Sequence, residues 1–190
     1  MIKTQKFIDT PSQTAGPFLH IGCTPRITGI NIFKSELGLT PFQDISDNEA
    51  INIKGKIYDG NKEPIIDAMI ETWQCDANGN YSSNQGFARI VTDFKTGEYQ
   101  LKTIRPGNEI NTDGYLSASY ITFWIVARGM NRPLITRMYF LENDLKNDLK
   151  FQSLNVEDRL KTLIPYTEDE KNFVFDIHLQ GKKETIFFEF

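Results

Sequence analysis

Hydrophobic positions in this chain recur mostly at every second residue. Ile51, Ile53 and Ile57 alternate with polar neighbours, the period that turns one face of a strand toward a core. Asp59-Gly60-Asn61-Lys62-Glu63-Pro64 then predicts a turn, with Asp-Gly suited to positive φ and Pro restarting an extended chain. Residues 65–74 read as a second strand, closed by a turn at Asp76-Ala77-Asn78-Gly79-Asn80. Residues 88–94 and 99–104, joined by Lys95-Thr96-Gly97-Glu98, predict a hairpin that ends at Arg105-Pro106-Gly107. Residues 119–128 form the most apolar run and predict a central strand, and residues 137–140 predict a short one. Phe173, Phe175, Ile177 and Leu179 alternate again. With a turn at Gly181-Lys182-Lys183 and the segment 185–190, they predict a closing hairpin.

Helical spacing occurs twice. Leu141, Leu145 and Leu149 recur at i, i+4, and Val156, Leu160 and Leu163 keep the same face. Residues 23–50 carry scattered Pro, Gly and Asn and read as loop. Residues 1–22 read as an extended arm. Its centre, Thr10-Pro11-Ser12-Gln13-Thr14-Ala15-Gly16-Pro17, is too polar and too broken for a core strand. The prolines restrict φ and remove two backbone donors, while Gly16 permits a turn or a close approach. Such a segment is semi-rigid and can lie along a surface. The expected architecture is therefore mainly β: a β-sandwich over residues 23–190, one or two short helices, and an N-terminal arm over residues 1–22.

Composition narrows the functions. A length of 190 residues suits one domain with a sizeable core. The net charge of −4, with no basic stripe, argues against nucleic acid and against an anionic membrane surface. No run approaches the ~20 apolar residues of a membrane helix. The first residues lack the apolar segment of a secretory signal, which predicts a cytoplasmic protein. Cys23 and Cys75 make no disulfide framework and are expected as free thiols. His20 and His178, the only histidines, lie far apart and are expected as hydrogen-bonded structural residues.

The segments together resemble the protocatechuate 3,4-dioxygenase family of intradiol ring-cleaving enzymes. The likeness is carried by the arm with His20-Ile21-Gly22, and by Gly55-Lys56-Ile57-Tyr58-Asp59-Gly60 running into Glu71-Thr72-Trp73-Gln74-Cys75-Asp76-Ala77-Asn78-Gly79-Asn80-Tyr81. It continues through Lys102-Thr103-Ile104-Arg105-Pro106-Gly107, Ala127-Arg128-Gly129-Met130-Asn131 and Thr136-Arg137-Met138-Tyr139-Phe140. It closes with Phe175-Asp176-Ile177-His178-Leu179-Gln180-Gly181 and the segment 184–190. Within the family the arm and the C-terminal end look like those of α-type subunits.

The resemblance implies a ferric ion held by two tyrosinates and by two histidines in a His-x-His pair. Phenolates are hard donors for Fe(III), and strand alternation puts both histidines on one face. Here Tyr120 and Thr122 stand at the histidine positions, and Asn108 or Glu109 stands where a tyrosine is expected. Only Tyr81 matches a ligand position. The resemblance thus implies no metal and no catalytic residue on this chain, with Fe(III) in a homologous iron-binding β subunit. The substrates would be protocatechuate and O2 and the product 3-carboxy-cis,cis-muconate, in the β-ketoadipate pathway of aromatic catabolism. Carried over residue by residue, Thr14, Gly16, Pro17 and Arg128 would line the partner's substrate pocket. Arg137 is a second candidate, for an interface or surface ion pair, while Arg132 and Pro133 depart from the family pattern. Two alternatives stand beside this reading. One is a self-sufficient dioxygenase using Tyr81, Tyr115, Tyr120 and His20. The other is a non-catalytic homo-oligomeric binding module.

Overall fold

A computed structural model describes residues 13–16, 18–32, 38–110, 114–140, 148, 157–167 and 169–189. Two β-sheets pack face to face, as the alternation predicts. In the first, β1 (Ala50–Tyr58) pairs antiparallel with β4 (Glu98–Ile104), from Ala50 opposite Ile104 to Lys56 opposite Glu98. On its other edge β1 runs parallel to β8 (Asn172–Val174) and β9 (Ile177–His178), and β7 (Tyr166–Thr167) pairs with β8. The second sheet has the order β3-β2-β5-β6: Phe87–Val91, Met69–Trp73, Tyr120–Val126 and Leu134–Tyr139. The apolar run at 120–126 is central there, with β2 and β6 on its two sides.

The inward faces meet in one core. Ile121, Phe123 and Ile125 of β5 are fully buried against Ile53 and Ile57 of β1 and Leu101 of β4. Phe123 bridges the sheets, with its ring 6.0 Å from Tyr99 and 5.3 Å from Phe175. The Tyr99 hydroxyl donates to the Phe175 carbonyl, so this deeply buried phenol is satisfied. At Gly55 any Cβ would collide with that same carbonyl, which is why the strand carries a glycine there.

Strand pairing departs from expectation in three places. Residues 88–94 and 99–104 do not make a hairpin, because β3 belongs to the second sheet and β4 to the first. The turn between them carries the chain across the sandwich. It is held by the Asp93 carboxylate, which accepts the N–H groups of Lys95 (2.9 Å) and Thr96 (2.7 Å). The second strand starts only at Met69. Ile65 N–H still bonds the Ile57 carbonyl at 2.7 Å, which keeps residues 64–65 on β1. The C-terminal alternation splits into β8 and β9, with Asp176 between them accepting Lys56 N–H at 2.9 Å. Thr185 pairs back, its N–H bonding the His178 carbonyl at 2.9 Å and its hydroxyl accepting His178 N–H at 3.0 Å, and residues 186–188 then cross to the second sheet. Thr136 donates its hydroxyl to the Ile186 carbonyl (2.8 Å), and Phe188 N–H bonds the Ile135 carbonyl (2.8 Å).

Helices are few. Residues 13–16 of the arm are non-helical, but Phe18–Cys23 forms a short α-helix, α1, where a continuous extended arm was expected. A 3₁₀ turn at Pro25–Thr28 follows, closed by Gly29 at φ 83°. The expected helix near residue 160 is a 3₁₀ helix, Glu157–Leu163. The expected helix over 141–149 lies outside the described residues apart from Asp148.

Candidate functional site

Strand β5 has a different polar group at each of its ends. Tyr120 opens it and Arg128 stands just beyond it, roughly 25 Å apart at ~3.3 Å per residue.

At the Arg128 end the arm is bound in place. Ala15 lies beside Arg128 as an isolated parallel bridge, and Thr14 Oγ1 accepts Gly129 N–H at 2.9 Å. Helix α1 then brings in His20, which donates from Nε2 to the Asp67 carbonyl (3.1 Å) and meets Phe94 edge-on at 5.5 Å. The Asp67 carboxylate forms an ion pair with Arg128 Nε at 3.0 Å, yet the Arg128 side chain stays 70% exposed. Gly16, His20, Ile66, Asp67, Phe94 and Arg128 line a cleft of about 290 Å³. The structure thus brings Thr14, Gly16 and Arg128 together from positions more than a hundred residues apart. Pro17 lies outside the described residues.

At the other end the polar groups are turned inward. Tyr120 and Thr122 share the face of β5 that points away from the main core, where Tyr120 packs with Tyr139, Leu163 and Ile186 in a second apolar cluster. The loop carrying Tyr81 is shaped by Asp76, whose carboxylate accepts the N–H groups of Asn78 (2.8 Å) and Asn80 (2.9 Å). Gly107 docks on this loop through its own N–H to the Asp76 carbonyl at 2.8 Å. A Cβ at Gly107 would stand 2.4 Å from the Ala77 carbonyl oxygen, so only glycine permits this approach. The docking delivers Tyr81 and Glu109 to the same place. Tyr120 donates its hydroxyl to Glu109 Oε1 at 2.5 Å, and the Tyr81 and Tyr120 hydroxyls stand 3.3 Å apart. Tyr81 also stacks on Trp73 at 5.8 Å. Of the two residues Asn108 and Glu109, Glu109 enters the cluster, whereas the Asn108 amide donates to the Ser117 carbonyl at 2.9 Å.

Arg137 completes the cluster. An interface or surface ion pair was expected for it, but β6 alternation turns it inward and it is only 9% exposed. Its guanidinium lies 3.9 Å from the Tyr120 ring centre and 5.7 Å from that of Phe188, a cation–π arrangement. Burial works against this charge. The fields of Tyr139, Tyr120 and Asp148 more than offset it, so its pKa lies above the ordinary value. Asp148 is itself buried and accepts Ala118 N–H at 3.1 Å. Burial and the hydrogen bond with Tyr120 hold the Tyr81 phenol well above its usual range. Burial raises Tyr120 too, although Arg137 pulls it down, and burial pushes Tyr139 up to about 12. These phenols are neutral at pH 7.

Sequence reasoning missed Arg137 and Asp148 at this site. The available signal for Arg137 was its register, since it stands opposite Thr122 across the β5–β6 ladder. Tyr81 and Tyr120 are brought together, but His20 is not, because it sits at the Arg128 end. His178 stacks on Tyr58 at 4.9 Å, and both cysteines are free, with Cys75 Sγ 3.4 Å from the Gly107 carbonyl. Among the described residues no group of three or more His, Cys, Asp or Glu is placed to hold a metal, and no helix is long and apolar enough to cross a membrane.

A sandwich of this topology, with its motifs in this order, defines a class: the chain belongs to the intradiol ring-cleavage dioxygenases. A family model described as dioxygenase matches residues 34–181. The chain is similar to the protocatechuate 3,4-dioxygenase alpha chain of Pseudomonas putida, at 35% identity over 195 positions covering 96% of each protein. The beta chain of the same enzyme from Burkholderia cepacia is 27% identical over 158 positions, covering 72% of this chain and 67% of that one. Among solved structures, catechol 1,2-dioxygenase from Pseudomonas arvilla C-1 shares the fold. Its TM-score is 0.58 at 19% identity, covering 73% of this chain and 54% of that larger protein.

Proposed function

We propose that this chain is the α-type, non-iron-bearing subunit of a protocatechuate 3,4-dioxygenase. A homologous β-type subunit would hold the ferric ion. The observation that carries this reading is the donor set at the family's ligand positions. It consists of Tyr81, Glu109, Tyr120 and Thr122, with a buried guanidinium 3.9 Å from the Tyr120 ring. A donor set without imidazole and with a cation already in contact does not fit a ferric centre. The full-length likeness to an alpha chain, stronger than that to a beta chain, supports the same assignment.

A ferric ion held by the partner would supply the chemistry that brings the catechol ring and O2 together, with 3-carboxy-cis,cis-muconate as the product. The role left to this chain is to shape the approach. Thr14 and the backbone around Gly16 form a wall fastened to the Arg128 turn, and Arg128 offers an exposed guanidinium beside it. Protocatechuate carries a carboxylate, which a guanidinium attracts and can bind through two parallel N–H groups. By the family pattern, Pro17 would be expected to contribute to the same pocket. The arm's extended form would make the wall rigid without a large ordering cost on binding.

Co-expression with a β-type chain carrying His-x-His tests the reading. The expected result is one complex containing both chains that consumes O2 with protocatechuate, while this chain alone is colourless and inactive. Stoichiometric iron with tyrosinate-to-iron absorption and turnover by the purified chain alone would sink it. A stable assembly of this chain only, indifferent to the β-type chain, would favour the homo-oligomeric alternative.

A further inference from the structure

Three oxygen donors converge at the Tyr120 end of β5: the Glu109 carboxylate, the Tyr120 hydroxyl 2.5 Å from it, and the Tyr81 hydroxyl 3.3 Å from Tyr120. Hard oxygen donors of this kind suit a trivalent or divalent hard cation. A second carboxylate, Asp148, is 3% exposed, and its charge acts on Arg137 and Tyr139 beside them. Two carboxylates, one of them buried, favour a positive charge beside them. In this chain a side chain provides it. Arg137 reaches the Tyr120 ring from β6, opposite Thr122, and its stem and head are enclosed between Tyr120 and the Phe188 ring of the C-terminal segment.

We propose that Arg137 is the residue that closes this end of the sandwich to metal ions. Its buried guanidinium supplies the positive charge that Glu109, Asp148 and the phenolic oxygens would otherwise take from a bound cation. Any metal held by Tyr81, Tyr120 and Glu109 would sit close to the like charge of a guanidinium that is only 9% exposed, which repels it. The same contact makes the joint mechanical. Arg137 links β6 to β5 and to the C-terminal segment, so the ring face of Tyr120 cannot turn without moving all three. This goes beyond the assignment of the chain as a non-iron subunit, because it stands on the chain's own geometry and holds with or without a partner.

The test uses the full chain and four forms of it: wild type, Arg137→Gln, Arg137→Lys and Arg137→Met. Ferric ion is supplied as its nitrilotriacetate complex, and bound metal is read by elemental analysis and by visible phenolate-to-iron absorption. Wild type and Arg137→Lys are expected to bind none. Arg137→Gln is expected to bind at least tenfold more tightly than wild type and to show the absorption, which Tyr81→Phe in the same background removes. Binding by the wild type, or no gain in Arg137→Gln, overturns the proposal. Should Arg137→Gln fail to fold, thermal melting decides: Lys must be less destabilising than Met, and equal loss by both refutes the charge role. A metal-free wild type that forms no complex with a β-type chain would refute the proposed function and leave this inference standing.

Discussion

The two ends of β5 are built from similar residue types and do opposite things. At the Tyr120 end, two tyrosines, a glutamate and an arginine meet one another at 2.5–3.9 Å, and the cation is 9% exposed. At the Arg128 end, the arm, His20 and Asp67 fasten one side of an arginine whose head stays 70% exposed. The first set is turned largely on itself. The second keeps hydrogen-bonding capacity to spare: among the described residues Arg128 has an ion pair to Asp67 by its Nε and no hydrogen bond from either Nη group. Polar groups that satisfy one another hold a fold together, whereas polar groups left reaching outward suit a ligand or a partner. Under the proposed function, the family's ligand positions would serve packing in this chain, and the opposite end of the same strand would face the substrate.

Four measurements can break or sharpen that contrast. The largest effect is expected for Tyr120→Ala, which removes the ring under Arg137 and leaves a cavity. Loss of about 3–5 kcal/mol in denaturant unfolding is expected, and a loss below ~1 kcal/mol would show that the closed end is not a structural joint.

Arg128→Ala should do the reverse. Its exposed ion pair is worth no more than about 1 kcal/mol to stability. In the co-purified complex, however, the KM for protocatechuate should rise about tenfold, the size of one charge-assisted hydrogen bond. Catechol, which lacks the carboxylate, should be cleaved as before. Equal effects on both substrates would remove Arg128 from carboxylate recognition.

Tyr81→Phe deletes one partner of the 3.3 Å hydroxyl pair and should cost about 1 kcal/mol. No change in activity of the complex should accompany it.

The smallest effect concerns His178, whose pKa is held below the usual value by burial against Tyr58. The unfolded chain protonates near the ordinary value of about 6.5, and the folded chain only lower. Between the two the unfolded state binds more protons, so this residue's contribution is complete above about 6.5 and is lost as pH falls through the folded value. Urea midpoints of wild type minus His178→Gln should therefore decline on acidification below about pH 6.5. A flat difference would contradict the half-buried, stacked placement.

Much of this was legible in the chain. Alternation at Ile51, Ile53 and Ile57 and the apolar run at 119–128 located strands correctly, because a period of two is a local property of side-chain direction. The placing of Tyr120 and Thr122 at the family's histidine positions is what the resemblance implies. The partners of those strands were not legible. Asp93-Lys95-Thr96-Gly97 would look the same in a hairpin and in a turn that crosses between sheets, since Asp93 caps both alike. Arg137 looked like a surface charge because nothing local shows burial. Its enclosure needs Tyr120 from β5, Phe188 from the C-terminal segment and Asp148 from a third place.

From the sequence came the alternation that sets strand faces and the expectation of a semi-rigid arm able to lie along a surface, and the resemblance added the expectation of altered ligand positions. Tertiary structure decided what fills the place of the missing chemistry and what the arm touches. Ala15 and Thr14 meet the Arg128 turn, and Arg137 meets Tyr120, only because strand register aligns segments far apart in the chain. Local propensity acts over a few residues, but a site is made of side chains whose nearness is set by the packing of two whole sheets.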